Sequence, residues 1–137
     1  MAQLFSVEWM EALGQLWNKD EKMLKNLENV HFDSVVGYGY KDESKPRGVL
    51  VVREGRVVHG GAYTNQDLNW DLRADITSWE NWLKKGFGLA RLGSAVTSGE
   101  LKFVTGDYRQ MIKNVRLSVP FLRHLDLMQQ IKTEFKR

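Results

Sequence analysis

The sequence predicts an α+β fold in which helices cover one face of an antiparallel sheet. Apolar residues fall at every second position through the centre of the chain, and at helical spacing in the segments on either side. The resulting order is helices, strands, helices, one strand and helices, which is typical of folds with helices on one sheet face. With 137 residues and no internal repeat, we expect one domain covering 1–137.

Two short helices are predicted at the N-terminal end. Ser6 is a suitable N-cap for the first, whose apolar stripe runs from Trp9 to Trp17. Asp20 can cap a second helix, which carries an apolar group between Met23 and Leu27. Both helices therefore have a local start signal and one apolar face to bury.

Strands are predicted next, at 32–40, 48–53 and 56–63. The segment 41–47 is polar and contains a proline, so we expect a loop there. Glu54-Gly55 separates the second and third strands and predicts a two-residue hairpin turn, because glycine readily adopts a positive φ.

The clearest alternation lies between residues 68 and 75. We expect one face of this strand to pack against the helices, and it comprises Leu68, Trp70, Leu72 and Ala74. We expect the other face to be solvated, and it comprises Asn69, Asp71, Arg73 and Asp75. The Glu54-Gly55 turn and this alternation together predict adjacent antiparallel strands.

Helical spacing returns in the C-terminal half. Thr77-Ser-Trp-Glu80 predicts a capping box, and Gly86 ends that helix before a second short one. A strand at 100–105 follows, after which Asp107 caps a further helix. Pro120 suits the first turn of the last helix.

Composition and charge exclude several function classes. The chain has no cysteine, which excludes disulfides, thiolate catalysis and cysteine-ligated zinc. Its net charge of +3 comes without a clustered basic face, so we predict no nucleic-acid partner and leave open a weak attraction to anionic membrane surfaces. Without a membrane-length apolar run or a secretory signal at its start, we expect a cytoplasmic protein.

No catalytic or metal-binding motif is evident. His31, His59 and His124 have no histidine or carboxylate at helical metal-site spacing, so we interpret each as a surface or half-buried structural residue. The glycine pairs at 37–39 and 86–88 lack the third glycine of a dinucleotide loop. We therefore predict no cofactor, no metal and no enzymatic activity.

The aromatic content is high, with five tryptophans and six phenylalanines. Aromatic side chains usually fill a core because their burial is strongly favourable. Short helices with glycine breaks above a sheet can also roof an apolar cavity. The residues alone leave both interpretations open.

Ser98-Gly-Glu-Leu-Lys-Phe-Val-Thr-Gly-Asp107 resembles the strand-to-helix passage typical of the sterol carrier protein family. Leu72-Arg-Ala-Asp-Ile-Thr-Ser-Trp79, continuing to Gly86, is similar to that family's strand and tryptophan-bearing helix. The opening Phe5-Ser-Val-Glu-Trp9 resembles that of its stand-alone bacterial members. The resemblance implies a single five-stranded, mostly antiparallel sheet with helices on one face, an apolar tunnel between them for acyl chains or sterols, and no catalytic residues.

These observations predict noncatalytic binding or carriage of a fatty acyl chain, a sterol or a related lipid. The residues predicted to line the tunnel are Trp79, Leu83, Phe87, Leu92, Val96, Phe103, Met111, Leu122, Leu125 and Met128. One alternative is a protein-interaction or homodimerisation subunit with a filled core. A second is an enzyme acting on a lipidic substrate, for which the sequence offers no nucleophile or base.

Overall fold

The computed structural model describes residues 1–137 and contains six helices and seven strands. The helices are α1 (Val7–Lys19), α2 (Glu21–Leu27), α3 (Ile76–Lys85), α4 (Leu89–Ser98), α5 (Tyr108–Lys113) and α6 (Val115–Met128). The strands are β1 (Ala2–Gln3), β2 (Ser34–Tyr40), β3 (Gly48–Arg53), β4 (Arg56–Ala62), β5 (Trp70–Ala74), β6 (Lys102–Thr105) and β7 (Thr133–Glu134). No helix has both the length and the apolar character needed to cross a membrane.

The main sheet has five strands in the order β4-β3-β2-β5-β6. Three of its four pairings are antiparallel, whereas β2 and β5 run parallel with Val36 opposite Trp70. The predicted α+β fold with a five-stranded, mostly antiparallel sheet is therefore confirmed. The expectation that β5 adjoins the β3–β4 hairpin is wrong, because the chain crosses to the far side of β2 before β5 begins.

The predicted N-caps of the first two helices and the predicted hairpin turn are confirmed, and all of them involve residues close in sequence. Ser6 Oγ accepts from the Trp9 backbone N–H at 3.3 Å, and Asp20 Oδ2 accepts from that of Met23 at 2.9 Å. In the β3–β4 hairpin, Glu54-Gly55 has φ values of 51° and 77°. Positive φ at both positions is the geometry of a type I′ turn.

Two predicted helix starts are wrong. α3 begins at Ile76, directly after β5, so Thr77 does not cap it, and Glu80 instead pairs with Lys84 at 2.6 Å. α6 begins after Asn114, whose side chain accepts from the Arg116 backbone N–H at 3.1 Å. Pro120 consequently lies inside α6 rather than in its first turn.

The β5 face expected to be solvated is covered. Asp71 and Arg73 are both buried, and they form two hydrogen bonds of 2.6 and 2.9 Å with each other. Arg73 also donates to the Glu43 carbonyl at 2.7 Å, because the loop 41–47 folds over this face. A paired carboxylate and guanidinium with further hydrogen bonds can be buried, which alternation alone does not reveal.

Leu68 also departs from its predicted face. It precedes β5, and its Cδ1 lies 3.1 Å from the position that a Cβ on Gly37 would take. Gly37 and Pro46 lie on the covered face, opposite the helices. Trp70, Leu72 and the buried Ala74 keep the predicted orientation toward the helical layer.

Phe5 is the centre of a group of packed aromatic rings in the helical layer. Phe5 makes edge-to-face contacts with Trp9 at 5.3 Å and with Trp79 at 5.1 Å between ring centroids. Trp79 also donates its indole N–H to the Gly39 carbonyl at 3.0 Å, which ties α3 to the sheet. α6 lies against the other helices, contacting α1, α2, α3 and α5.

Candidate ligand-binding site

A cavity of about 40 Å³ lies between the sheet and the helices α5 and α6. Nine of its eleven lining residues are hydrophobic. Val36 and Trp70, which are partners across β2 and β5, form the sheet wall together with Tyr38. Trp17, Leu27 and Phe32 close the side toward the N-terminal helices.

The helical wall comes from one face of α6 and the end of α5. Leu117, Phe121 and His124 are spaced by four and three residues, so they project from the same side of the helix. Pro120 belongs to this face as well, and Met111 of α5 completes the wall. Because proline has no backbone N–H, α6 lacks one internal hydrogen bond beside the cavity.

One polar pair interrupts the apolar lining. Tyr38 Oη and His124 Nε2 are 2.9 Å apart, and His124 Nδ1 lies 2.6 Å from the Phe121 carbonyl. A carbonyl only accepts, so Nδ1 carries the proton and the Tyr38 hydroxyl donates to Nε2. Burial lowers the pKa of His124 to about 4 and raises that of Tyr38, so both side chains are neutral at physiological pH.

A polar surface groove adjoins the cavity. Four residues line both spaces: Phe32, Trp70, Met111 and Leu117. The outer part of the groove is lined by Asp33, Ser34, Asn69, Asp107 and Gln110. The lining of this groove includes two carboxylates and no Lys or Arg side chain, and Gly106 and Asp107 also line the neighbouring groove that contains Lys102 and Arg109.

Of the ten residues predicted to line a tunnel, Met111 lines this cavity. Six others are buried in the hydrophobic core: Trp79, Leu83, Phe87, Leu92, Leu125 and Met128. The remaining three, Val96, Phe103 and Leu122, are half-buried against that core. Val96 and Phe103 also line a separate shallow groove beside Tyr108. Contact between a ligand and any of these ten residues remains a prediction.

The pairing of Tyr38 with His124 has no local signal in the sequence. His124 was interpreted as a surface or half-buried residue, whereas it is buried, while His31 and His59 are exposed. The spacing of Leu117, Phe121 and His124 indicates that these residues share one helix face. A helix that begins at Pro120 excludes Leu117, so the wrong helix start hides this pattern.

The site offers hydrophobic contact and hydrogen bonding. The nearest ring partners of His124 are Trp17, Tyr38 and Phe121, and no carboxylate orients its imidazole. Across the chain, no three His, Cys, Asp or Glu side chains are placed to hold a metal ion. The geometry therefore suits enclosure of an apolar group.

Among known proteins, this chain is similar to several solved structures in its fold. No family model and no curated protein matches the sequence. The crystal structure of sterol carrier protein 2 is similar with a TM-score of 0.72 at 17% identity, covering 94% of this chain and 99% of that one. A conserved hypothetical protein from Thermus thermophilus, provisionally named a sterol carrier protein, gives 0.68 at 17% identity over 98% and 93%.

A third similar structure is a ubiquinone synthesis protein, UbiJ-SCP2. Its TM-score is 0.57 at 18% identity, covering 90% of this chain and 89% of that one. All three likenesses run through nearly the whole length of both chains, so they concern the complete arrangement of sheet and helices. The resemblance predicted from the sequence is thus confirmed in its architecture, and the chain has the fold of the sterol carrier proteins.

Proposed function

We propose that this chain is a noncatalytic binding domain for a hydrophobic ligand, held between the sheet and the helices α5 and α6. The observation that carries the proposal is the apolar cavity at that position. Proteins of the same fold are named for sterol carriage and for ubiquinone synthesis, which supports an apolar ligand here too. The fold comparison offers no support for the alternative of an interaction subunit.

A lipid would have to enlarge the cavity. Sites for drug-sized ligands usually hold roughly 300–1,000 Å³, whereas this cavity holds about 40 Å³. We infer that α5 and α6 move outward on binding, since α5 has six residues and α6 lacks one hydrogen bond at Pro120. Each ligand CH₂ buried contributes about 0.8 kcal/mol, which favours this opening for a long chain.

Thermal melting of delipidated protein tests the proposal. A panel of alcohols, fatty acids, sterols and phospholipids should include a compound that raises the Tm, because a ligand that binds the folded state stabilises it. Leu117→Trp places a large side chain in the cavity and should reduce that rise by about half or more. Lipids extracted from the purified protein would identify the natural ligand.

Val119→Trp is the matched control, because Val119 lies on the same helix but is 45% exposed and does not line the cavity. It should keep the ligand response of the unsubstituted protein. A panel without any effect on Tm would refute the binding function. Equal responses of the two variants would refute the location of the site.

A further inference from the structure

We infer that the corner formed by α5 and the start of α6 is a docking surface for anionic phospholipid membranes. The inference goes beyond the proposed function, because this surface can bind a membrane whether or not the cavity holds a ligand. Three features of the corner support it: unpaired cations, exposed valines beside them, and a position on the outer side of the cavity.

Positive charge dominates this corner. α5 and the first ten residues of α6 contain no acidic residue. Arg109, Lys113 and Arg116 are exposed there and form no ion pair within the chain. One carboxylate is close, because Asp107 lines the same groove as Arg109 and Lys102, but the two cations outnumber it. Each Lys or Arg close to an anionic leaflet raises membrane affinity by about fivefold, so the three free cations favour such a surface.

Exposed apolar side chains lie beside these cations. Val115 is 69% exposed and Val119 is 45% exposed. They are four positions apart on α6, and Arg116 is three positions before Val119, so these side chains project from one side of the helix. The phosphates of a nucleic acid would make no use of the valines. In a membrane, by contrast, apolar side chains enter the boundary between headgroups and acyl chains while neighbouring cations stay at the headgroups.

The corner is the outer side of the helical wall of the cavity. Leu117 and Phe121 of α6 line the cavity, whereas Val115 and Val119 face solvent. Met111 of α5 lines the cavity as well. A membrane bound here would be separated from the cavity by one layer of helix. This third feature rests on the proposed function, and the charge and the valines do not.

The N-terminal helices lack this combination. The segment 1–40 contains six acidic and three basic residues. Val7 of α1 is 46% exposed, but it lines a groove with Glu11 in which there is no Lys or Arg side chain. An anionic membrane is therefore attracted to α5 and α6 and not to the outer face of α1.

Sedimentation of the full chain with large unilamellar vesicles tests the inference. Vesicles of phosphatidylcholine alone are compared with vesicles that also contain phosphatidylserine. We expect the anionic vesicles to bind about tenfold or more tightly at about 0.1 M salt, and to lose most of that advantage at about 0.5 M, where exposed charges are screened.

Charge reversal locates the surface. Lys113→Glu combined with Arg116→Glu should weaken binding to the anionic vesicles by about tenfold or more. Lys22→Glu combined with Lys25→Glu is the matched control, because both lysines are exposed on α2 and the change in net charge is the same. The control pair should weaken binding by less than about threefold, since these residues lie away from the membrane.

A neutral substitution tests the apolar contact. Val115→Ser should weaken binding to the anionic vesicles by about threefold, because an apolar side chain no longer enters the membrane boundary. Val58→Ser is its control, since Val58 is 62% exposed on β4, and it should leave binding unchanged. All the substituted side chains are exposed, so the Tm of each variant should stay close to that of the unsubstituted protein.

Several outcomes overturn the docking surface: equal binding to neutral and anionic vesicles, equal losses in the two charge-reversed proteins, or unchanged binding of Val115→Ser. Binding of polyglutamate or duplex DNA as tight as that of the anionic vesicles overturns the assignment to a membrane. None of these results affects the proposed function, which melting with added ligand measures without vesicles. A panel of ligands with no effect on Tm would refute only the proposed function.

Discussion

The helical layer has two parts that differ in how completely their aromatic rings are packed. In the packed part, around Phe5, Trp9 and Trp79, ring edges meet ring faces and every one of these side chains is at most 2% exposed. In the cavity part, under α6, the aromatic rings of Trp70 and Phe121 are half-buried and border empty space.

Aromatic richness therefore does not by itself mark a binding site in this chain. One aromatic cluster links Phe5, Trp79, Trp82 and Phe87, whose rings are in contact with one another and do not line the cavity. The cavity lies where rings have incomplete partners, and such surfaces lose the dispersion contacts that fill a core. Substitutions in each part separately test whether the two parts differ in packing and stability.

The largest expected difference is in stability. Trp79→Ala removes a fully packed ring and its hydrogen bond to Gly39, so the free energy of unfolding should fall by about 4 kcal/mol. Leu117→Ala enlarges an existing cavity around a half-buried side chain and should cost about 1 kcal/mol. Urea denaturation of both variants measures the two losses. Equal losses would show that the two parts are packed alike.

A second difference concerns pH and the buried His124. Its pKa is about 4 when folded and about 6.5 in the reference state, so the unfolded chain binds a proton first as the pH falls. This stabilisation is present above about pH 6.5 and is lost between about 6.5 and 4, amounting to about 3 kcal/mol.

Denaturation curves of unsubstituted protein and His124→Gln across that pH range measure the effect. The free energy of unfolding should fall more steeply for the unsubstituted protein. His59→Gln controls for loss of an exposed histidine and should follow the unsubstituted profile. Parallel profiles for all three proteins would show that His124 is not buried in its neutral form.

The smallest expected effect is local protection by ligand. At a free ligand concentration about ten times Kd, binding should raise the free energy of local opening in α5 and α6 by about 1.4 kcal/mol. Exchange of the amides that open locally there should slow accordingly. α3 borders the packed part, so its locally opening amides should change little. Hydrogen exchange with mass spectrometry compares the segments. Uniform protection of α3 and α6 would contradict an opening confined to the cavity part.

Features that depend on residues a few positions apart could be predicted from the sequence. Ser6, Asp20 and Asp107 each accept from a backbone N–H three residues later, and both partners are visible in the printed chain. The Glu54-Gly55 turn follows from the conformational freedom of glycine and the spacing of the two strands. The layout of strands and helices followed from these signals together with apolar periodicity.

The way those elements pack together depends on contacts between residues that are distant in the sequence. Alternation in β5 indicates two faces but not that the loop 41–47 covers the polar one, because Asp71 and Arg73 are buried by residues about 30 positions away. The pairing of Tyr38 with His124 joins residues 86 positions apart. The position of α6 over the sheet determines which aromatic rings are packed and which border the cavity. Contacts between such distant residues leave no periodic trace in the sequence.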